Sequence, residues 1–168
     1  MKVVIVGGVA GGATAAARIR RLDEKAEIVV FERSGYISYA NCGLPYYIGG
    51  VIEDPEDLTL QTPESFFSRF RIHMKVHHEV IAVHPDRKTV SVKNLKTGEL
   101  FEESYDKLLL SPGAKPVWPN LPGMDSNKLF TYALWRIPSG SRNLWTGISR
   151  NPLLWWAAAL SVWRWPKT

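Results

Sequence analysis

The stretch that decides the fold is KVVIVGGVAGGATAAARIRRL, residues 2–22. Residues 2–7 form a β-branched run typical of a buried strand, and residues 13–22 have the spacing of a helix. The glycine turn at residues 7–12 predicts a site for dinucleotide phosphates, because glycines permit a sharp bend and a close approach of pyrophosphate, while a helix start offers free amides. Val9 replaces the middle glycine of the G-x-G-x-x-G pattern, so the turn by itself is weak support.

An acid at the end of the next strand strengthens this interpretation. The strand AEIVVFE covers residues 26–32, and its last residue, Glu32, lies 20 residues after Gly12. A carboxylate at this point of a β-α-β unit accepts hydrogen bonds from the ribose of a bound dinucleotide. The alternative is a glycine-rich turn that merely packs a helix on a sheet. The turn and the acid together favour dinucleotide binding.

Beyond the first β-α-β unit, the sequence predicts one short helix followed by several short strands. Thr62 is a candidate N-cap and Pro63 the first residue of a short helix that ends at residue 70. Alternation of period two then predicts strands at residues 72–85, 88–94 and 99–106, with a hairpin turn at 95–98 and a buried strand at 107–110 before Ser-Pro-Gly. The pattern indicates an α/β fold with a three-stranded antiparallel insert.

Charge and cysteine content exclude several classes of protein. The net charge of +5 comes from residues 126–168, which carry six basic residues and no acid, so residues 1–125 sum to −1. This body lacks the basic face expected of a nucleic-acid-binding protein. No apolar run reaches the roughly 20 residues of a membrane span. One cysteine excludes an internal disulfide and a multi-cysteine zinc site, and it fits the reducing cytoplasm.

Four histidines lie close together in the sequence: His73, His77, His78 and His84. On an alternating strand His77 and His78 face opposite sides, and no cysteine or pair of carboxylates joins them. We therefore expect no metal site and interpret all four as surface strand residues.

The single cysteine, Cys42, stands in SYANCGLPYYIGG, residues 38–50. The segment predicts a short helix that begins near Cys42, has Pro45 in its first turn and stops at Gly49–Gly50. The dipole and free amides of a helix start favour the thiolate form of a cysteine. The common alternative is an inert, buried thiol. The small polar neighbours of Cys42 suit a turn approached by a ligand better than a core.

Four segments carry a resemblance to a known family: VIVGGVAGGATAAARIRRLDE, SYANCGLPYYIGG, LQTPESFFSRF and ESYDKLLLSPGAKP. Together they resemble the coenzyme A-disulfide reductases and the related NADH oxidases and persulfide reductases. These enzymes form the single-cysteine branch of the flavin-dependent pyridine nucleotide-disulfide oxidoreductases. The resemblance runs from the N-terminus to about residue 137. It implies a Rossmann-like FAD-binding domain with a three-stranded antiparallel crossover insert, truncated before the NADH domain.

The resemblance also implies which residues bind FAD. The glycine turn would hold the pyrophosphate, Glu32 the adenosine ribose and the Val80 backbone the adenine, while Ser111 to Ala114 would form a second flavin-contacting turn. Val9 is usual in this branch. The implied FAD-binding residues are Gly7, Gly8, Val9, Ala10, Gly11, Gly12, Glu32, Arg33, Val80, Ser111, Gly113 and Ala114.

Cys42 would be the catalytic redox residue facing the isoalloxazine ring. Because the chain has one cysteine, the partner sulfur must come from outside, as a mixed disulfide with a small thiol, or Cys42 must cycle through sulfenic acid. The resemblance favours coenzyme A as that thiol, bound by Thr14, Arg18, Arg21, Ser38 and Asn41. Thr14, Arg18 and Arg21 share one helix face, where guanidinium groups can hold phosphates. The alternative is an ordinary solvated basic face.

The implied activity is the reduction of coenzyme A disulfide, persulfide or polysulfide by NAD(P)H through FAD and Cys42. A first alternative is an NADH oxidase or peroxidase that cycles Cys42 through sulfenic acid, and a second is a non-catalytic FAD-binding fragment. The expected partner is a small-molecule thiol or disulfide, with neither nucleic acid nor membrane. The intact family is expected to form homodimers through a C-terminal domain that this chain lacks.

The C-terminal stretch predicts a change of reading frame. Six of the seven tryptophans lie after residue 130. Joining the third base of each codon from Leu154 onward to the first two bases of the next permits VVGGGFIGLEMAEN, a strand and a second G-x-G-x-x-G turn where the NADH domain would begin. We therefore expect a partial FAD-binding domain at residues 1–125 and an out-of-frame tail at residues 126–168.

Overall fold

The structure is a computed structural model that describes residues 1–48, 50–114 and 122. The predicted out-of-frame tail at residues 126–168 lies outside the described residues. The chain divides into two units, of which the first holds Met1–Ala40 and Thr59–Lys115 and the second holds Asn41–Leu58 and Pro116–Thr168.

A β-α-β unit opens the described chain, helical segments follow it, and five consecutive strands come last. The strands are β1 (Lys2–Val6), β2 (Glu27–Glu32), β3 (His73–Val76), β4 (His78–His84), β5 (Thr89–Asn94), β6 (Leu100–Ser104) and β7 (Lys107–Leu110). The helices are α1 (Ala10–Leu22), α2 (Leu44–Ile48) and α3 (Pro63–Phe70), with short 3-10 turns at Asn41–Gly43 and Pro55–Leu58. A four-stranded sheet has the order β3-β2-β1-β7 with every pair parallel, and β4, β5 and β6 form an antiparallel sheet. The predicted fold class is confirmed.

Both faces of the parallel sheet are covered, which explains its continuous apolar runs. Successive residues of a strand point to opposite faces, so Val3 and Ile5 of β1 join one core while Val4 joins another. The first core includes Ala13 and Ala16 of α1 and Phe66 of α3. The second core joins the parallel sheet to the antiparallel sheet through Val4, Val29, Phe31, Val90 and Val92. Within the first unit the parallel sheet therefore has α1 and α3 packed on one face and the antiparallel sheet on the other.

The predicted strand at residues 72–85 is interrupted at His77. Its φ of +58° lies in the left-handed region, so the chain changes direction there, and β3 joins the parallel sheet while β4 joins the antiparallel one. The interpretation of all four histidines as surface strand residues was therefore wrong for two of them. His77 lies between strands, and the half-buried His78 ring lies 6.2 Å from the Phe31 ring, because it faces the second core.

The predicted helices α1 and α3 are confirmed, with small differences in their bounds. α1 begins at Ala10, three residues before the predicted start. α3 begins at Pro63, and its N-cap Thr62 forms a reciprocal pair with Ser65: the Thr62 hydroxyl accepts from the Ser65 amide at 3.2 Å and Ser65 Oγ accepts from the Thr62 amide at 2.9 Å. No helix in the described part of the chain is long and apolar enough to cross a membrane.

An ion network joins the start of β1 to the antiparallel sheet. Lys2 pairs with Glu103 and with Glu27, and Lys75 lies 3.6 Å from Glu103. The Glu103 hydrogen bond is the largest cause that raises the pKa of Lys2 above its usual 10.5. Because the folded pKa is the higher one, the stabilisation is complete below the unfolded value and declines as pH rises through the folded value.

Candidate functional site

The glycine turn at residues 7–12 connects β1 to α1, and two of its glycines allow no side chain. Gly7 has a φ of +96°, and a Cβ there would lie 2.0 Å from the Ser111 carbonyl oxygen. A Cβ at Gly12 would lie 1.7 Å from the Gly7 carbonyl oxygen. Real side chains do not approach that closely, so the sequence needs glycine at both positions to make this turn.

Glu32 lies at the end of β2, and its side chain points into the same turn. The residue is 7% exposed. One carboxylate oxygen accepts a hydrogen bond from the Gly8 amide at 2.8 Å, and the other accepts one from the Ser34 amide at 2.8 Å. Each oxygen has a second lone pair, so the carboxylate can still accept a ligand hydroxyl. The structure thus brings the predicted acid to the predicted turn, with Arg33 half-buried beside it.

The start of α1 is open for an anion. Val9 is the N-cap and makes no side-chain capping hydrogen bond. The first intrahelical bond runs from the Ala13 amide to the Val9 carbonyl at 3.1 Å, so the amides before Ala13 have no partner within the helix. Ala10 and Gly11 are exposed at this end. These free amides and the positive end of the helix dipole favour a phosphate group.

The predicted second turn follows β7 and contacts the first. The Ser111 amide donates to the Val6 carbonyl at 2.8 Å, and a Cβ on Gly11 would lie 2.5 Å from Ser111 Oγ. Gly113 has a φ of +72°, and Ala114 is exposed. Val80 lies elsewhere, on β4 at the edge of the antiparallel sheet, where it pairs with Val92 beside a bulge and packs against the second core.

The predicted ligand residues of α1 form an exposed face that we call the arginine face: Thr14, Arg18 and Arg21. Within the described residues neither arginine of this face has an ion pair or a hydrogen bond. Arg20, between them, behaves differently. Its guanidinium donates to four backbone carbonyls, a role that the sequence analysis did not predict.

Ser38 is a predicted ligand residue with an uncommon backbone. Its φ is +46°, and it is held there by two hydrogen bonds, in which its amide donates to the Gly8 carbonyl at 3.0 Å and its carbonyl accepts from the Leu60 amide at 3.1 Å. A serine in the left-handed region is strained, and such strain concentrates at ligand sites. Ser38 is thus tied directly to the glycine turn.

Cys42 belongs to the second unit, which is described by itself. The thiol is exposed and lies within the 3-10 turn Asn41–Gly43, directly before α2. Asn41 is also exposed, whereas Gly43 is buried. Pro45 is the second residue of α2, and Gly50 has a φ of +78°, as a helix stop requires. Gly49 lies outside the described residues. The alternative of a buried, inert thiol is contradicted by this exposure.

The described residues contain no group of three or more His, Cys, Asp and Glu side chains that could hold a metal ion. The polar chemistry of the first unit is instead concentrated around the glycine turn. The turn, the Glu32 carboxylate, the start of α1 and the Ser111 turn lie together and offer amides to phosphates and a carboxylate to hydroxyls. This is the arrangement of donors and acceptors that a dinucleotide needs.

Comparison with known proteins assigns this arrangement to a family. The family model described as pyridine nucleotide-disulphide oxidoreductase matches residues 1–137. The chain therefore belongs to the pyridine nucleotide-disulphide oxidoreductase family. The family is FAD-dependent and uses NAD(P)H.

Individual relatives show which proteins of this family the chain is similar to. The chain is 54% identical over 130 residues to a coenzyme A disulfide reductase of Staphylococcus aureus, covering 77% of this chain and 29% of the relative. It is also similar to the crystal structure of reduced CoADR-RHD from Bacillus anthracis, with a TM-score of 0.79 and 48% identity over 89% of this chain and 26% of that one.

Two further solved structures are similar. The water-forming NADH oxidase from Lactobacillus brevis gives a TM-score of 0.69 and 38% identity, covering 76% of this chain and 28% of that chain. An NAD-dependent persulfide reductase from A. fulgidus gives a TM-score of 0.76 and 30% identity, covering 89% and 28%. The chain thus spans less than a third of the length of these relatives.

Proposed function

We propose that this chain is the FAD-binding part of a cytoplasmic oxidoreductase that reduces coenzyme A disulfide, persulfide or polysulfide with NAD(P)H through Cys42. The observation that carries the proposal is the exposed thiol of the single cysteine in the first part of this family's sequence. Residues 1–168 hold no second cysteine with which Cys42 could form a disulfide. In the proposed reaction the second sulfur comes from the substrate.

The residues of the first unit fit FAD. The free amides at the start of α1 would hold the pyrophosphate, and the Glu32 carboxylate would accept the ribose hydroxyls. The Ser111 turn lies against the glycine turn and would extend the same site. When bound, FAD passes two electrons from NAD(P)H to sulfur. The protein's part is to bind and orient this group.

The reaction assigned to Cys42 is thiol–disulfide exchange. Its thiolate attacks one sulfur of coenzyme A disulfide, so that a sulfur–sulfur bond forms between Cys42 and one coenzyme A while the other leaves as a thiolate. The electron pair of the broken bond departs with that leaving group. Two electrons and a proton supplied through NAD(P)H then return the mixed disulfide to the Cys42 thiolate and a second coenzyme A thiol. Arg18 and Arg21 would bind phosphates of coenzyme A.

A second candidate function is an NADH oxidase or peroxidase. It is favoured by the similarity to the Lactobacillus brevis water-forming NADH oxidase. Here the Cys42 thiolate would attack one oxygen of a peroxide, giving a cysteine sulfenic acid and releasing the other oxygen as water or alcohol after protonation. Two electrons supplied by NAD(P)H, together with two protons, would then return the sulfenic acid to the thiol and release water.

A matched pair of proteins tests the proposal. The purified chain and its Cys42→Ser variant are titrated with FAD by calorimetry, then treated with coenzyme A disulfide and analysed by intact mass. We expect both proteins to bind FAD and the wild type alone to gain one coenzyme A. Labelling of Cys42 by dimedone after peroxide treatment, with no coenzyme A adduct, favours the oxidase. A wild type that binds FAD but gains neither label is a non-catalytic FAD-binding fragment, and a wild type that binds no FAD overturns the proposal.

We also propose that residues 126–168 are an out-of-frame tail in place of the start of an NADH domain. The permitted string VVGGGFIGLEMAEN supports the proposal. Sequencing of the gene from codon 130 onward should find one extra or missing base relative to the present frame, and confirmation of this frame contradicts the proposal.

A further inference from the structure

The loop that follows β2 is held by a histidine from a distant part of the chain, His77 at the junction of β3 and β4. Its amide donates to the Ser34 carbonyl at 3.0 Å, and its own carbonyl accepts from the Leu95 amide at 2.7 Å. Its φ of +58° lies in the left-handed region, which a histidine enters more readily than most residues but still at a cost. Strain of this kind persists where the surrounding structure fixes the backbone, as these hydrogen bonds to distant segments do.

The imidazole ring of His77 packs on the backbone of Gly35. A Cβ at Gly35 would lie 2.9 Å from Cε1 of the ring and 3.0 Å from its Nε2, so the ring fills the space that a side chain at this position would need. Both residues are half-buried. Because glycine has no Cβ, the ring can approach the backbone this closely, and the contact limits the positions that the loop can take.

The same loop supplies one of the donors to the Glu32 carboxylate. The Ser34 amide donates to Oε1 at 2.8 Å, whereas the Gly8 amide donates to Oε2 at 2.8 Å. Ser34 is therefore held on both sides, because its amide contacts Glu32 and its carbonyl accepts from His77. The far end of the loop is held separately, by the bond from the Ser38 amide to the Gly8 carbonyl. A shift of Ser34 would thus turn the carboxylate and redirect its remaining lone pairs.

We propose that His77 is a positioning residue for the ribose of FAD: it fixes Ser34 and Gly35, which orient the Glu32 carboxylate toward the 2′-hydroxyl of the adenosine ribose. The identity of the ligand rests on the proposed function. His77 acts through Ser34 and Glu32, without a contact of its own to the ligand. A hydrogen bond weakens steeply as its angle departs from linearity, so a turned carboxylate would lose the hydroxyl although its charge and burial were unchanged.

Variants at this residue separate the ring from the backbone. His77→Asn removes the ring but keeps a residue that tolerates the left-handed region, and His77→Gly removes it without steric cost. His77→Tyr keeps a flat ring with a polar end for the half-buried place on Gly35, and it should rescue the function because the proposal needs the shape of the ring. His73→Asn is the matched control, at an exposed histidine where β3 begins.

The test compares two ligands that differ by one hydroxyl. Wild type and variants are titrated by calorimetry with FAD and with FAD whose adenosine ribose lacks the 2′-hydroxyl. We expect the wild type, His77→Tyr and His73→Asn to bind FAD about tenfold more tightly than the deoxy form, as for one hydrogen bond to a charged group. In His77→Asn and His77→Gly the two affinities should come within about twofold of each other, because only FAD loses a contact.

The remaining outcomes overturn the inference. A preference for FAD that persists in His77→Asn and His77→Gly would mean that the ring does not orient the carboxylate. An equal fall in affinity for both ligands, or failure of both variants to fold, would mean that His77 only stabilises the fold. Loss of the preference in His77→Tyr as well would mean that the ring is not what holds the loop.

The wild type itself distinguishes this inference from the proposed function. A wild type that binds FAD and the deoxy form equally overturns the role of the carboxylate and of His77, while FAD binding and the chemistry of Cys42 stand. A wild type that binds neither ligand overturns the proposed function, and the inference falls with it.

Discussion

The glycine turn at residues 7–12 and the arginine face of α1 follow each other in one segment but are held in different ways. The turn is fixed by contacts within the chain: the Gly7 amide donates to the Phe31 carbonyl at 2.8 Å, and the Gly8 amide donates to Glu32. The side chains of Arg18 and Arg21 have no such partner in the described chain. The turn is thus fixed by the fold without a ligand, whereas the guanidinium groups of the arginine face remain available to bind one.

This difference predicts that substitutions in the two regions fail in different ways. A change in the turn should disturb folding and FAD binding together, because the same backbone makes both. A change on the arginine face should disturb ligand binding alone, since exposed side chains without partners contribute little to stability. The free energy of unfolding and the ligand affinity, measured on the same variants, therefore distinguish a site fixed by the fold from an exposed binding surface.

The largest effect is expected from Gly12→Ala. The new Cβ would lie 1.7 Å from the Gly7 carbonyl oxygen, so the backbone of the turn must move. We expect the free energy of unfolding to fall by about 3 kcal/mol. The affinity for FAD should fall about a hundredfold. Urea unfolding and a calorimetric FAD titration measure the two quantities.

Gly11→Ala is the matched control, one position away. Its Cβ would lie 2.5 Å from Ser111 Oγ, the end of a side chain that can rotate away, rather than from the backbone. We expect the free energy of unfolding to fall by less than about 1 kcal/mol. Equal losses in the two alanine variants would contradict the view that the backbone of the turn makes the site.

Much of the glycine turn was predictable from sequence, because its features are local. The buried strand, the glycines and the acid at the end of the next strand have a known spacing. Together they predicted that Glu32 lies beside the glycine turn, as it does in the structure. The two hydrogen bonds that the Glu32 carboxylate accepts, from the Gly8 and Ser34 amides, were not both predictable. The Ser34 amide has no sequence signal as a donor, since backbone amides are the same in every residue but proline.

The missed features depend on contacts between distant segments. The run at residues 72–85 alternates as one strand would, and a left-handed histidine at its middle has no pattern of its own. Similarly, Arg18, Arg20 and Arg21 are the same residue type on one helix. Only the approach of α3, about 50 residues later in the chain, distinguishes Arg20, which donates to backbone carbonyls, from the arginine face. The periodicity of a sequence predicts which face of a helix or strand a residue lies on, but it does not predict which distant segment packs against that face.

The smallest effect on stability, and a selective effect on binding, is expected from Arg18→Ala and Arg21→Ala. Each removes one free guanidinium from the arginine face. We expect each to weaken the binding of coenzyme A by about tenfold, as for loss of a hydrogen bond to a charged group. The free energy of unfolding should change by less than about 0.5 kcal/mol. Calorimetric titration with coenzyme A and urea unfolding provide both values.

The salt dependence of coenzyme A affinity and a control variant at Arg87 test this prediction further. Phosphate binding by exposed guanidinium groups weakens as ionic strength rises, so the wild type should lose affinity with salt more steeply than either variant. Arg87→Ala removes an arginine that is also exposed but lies in the turn between β4 and β5, and it should leave coenzyme A affinity unchanged. If Arg87→Ala weakens binding as much as Arg18→Ala does, the attraction is a property of total charge and the arginine face is not a site. If Arg18→Ala or Arg21→Ala lowers stability as much as Gly12→Ala does, the two regions are not held differently, and the comparison fails.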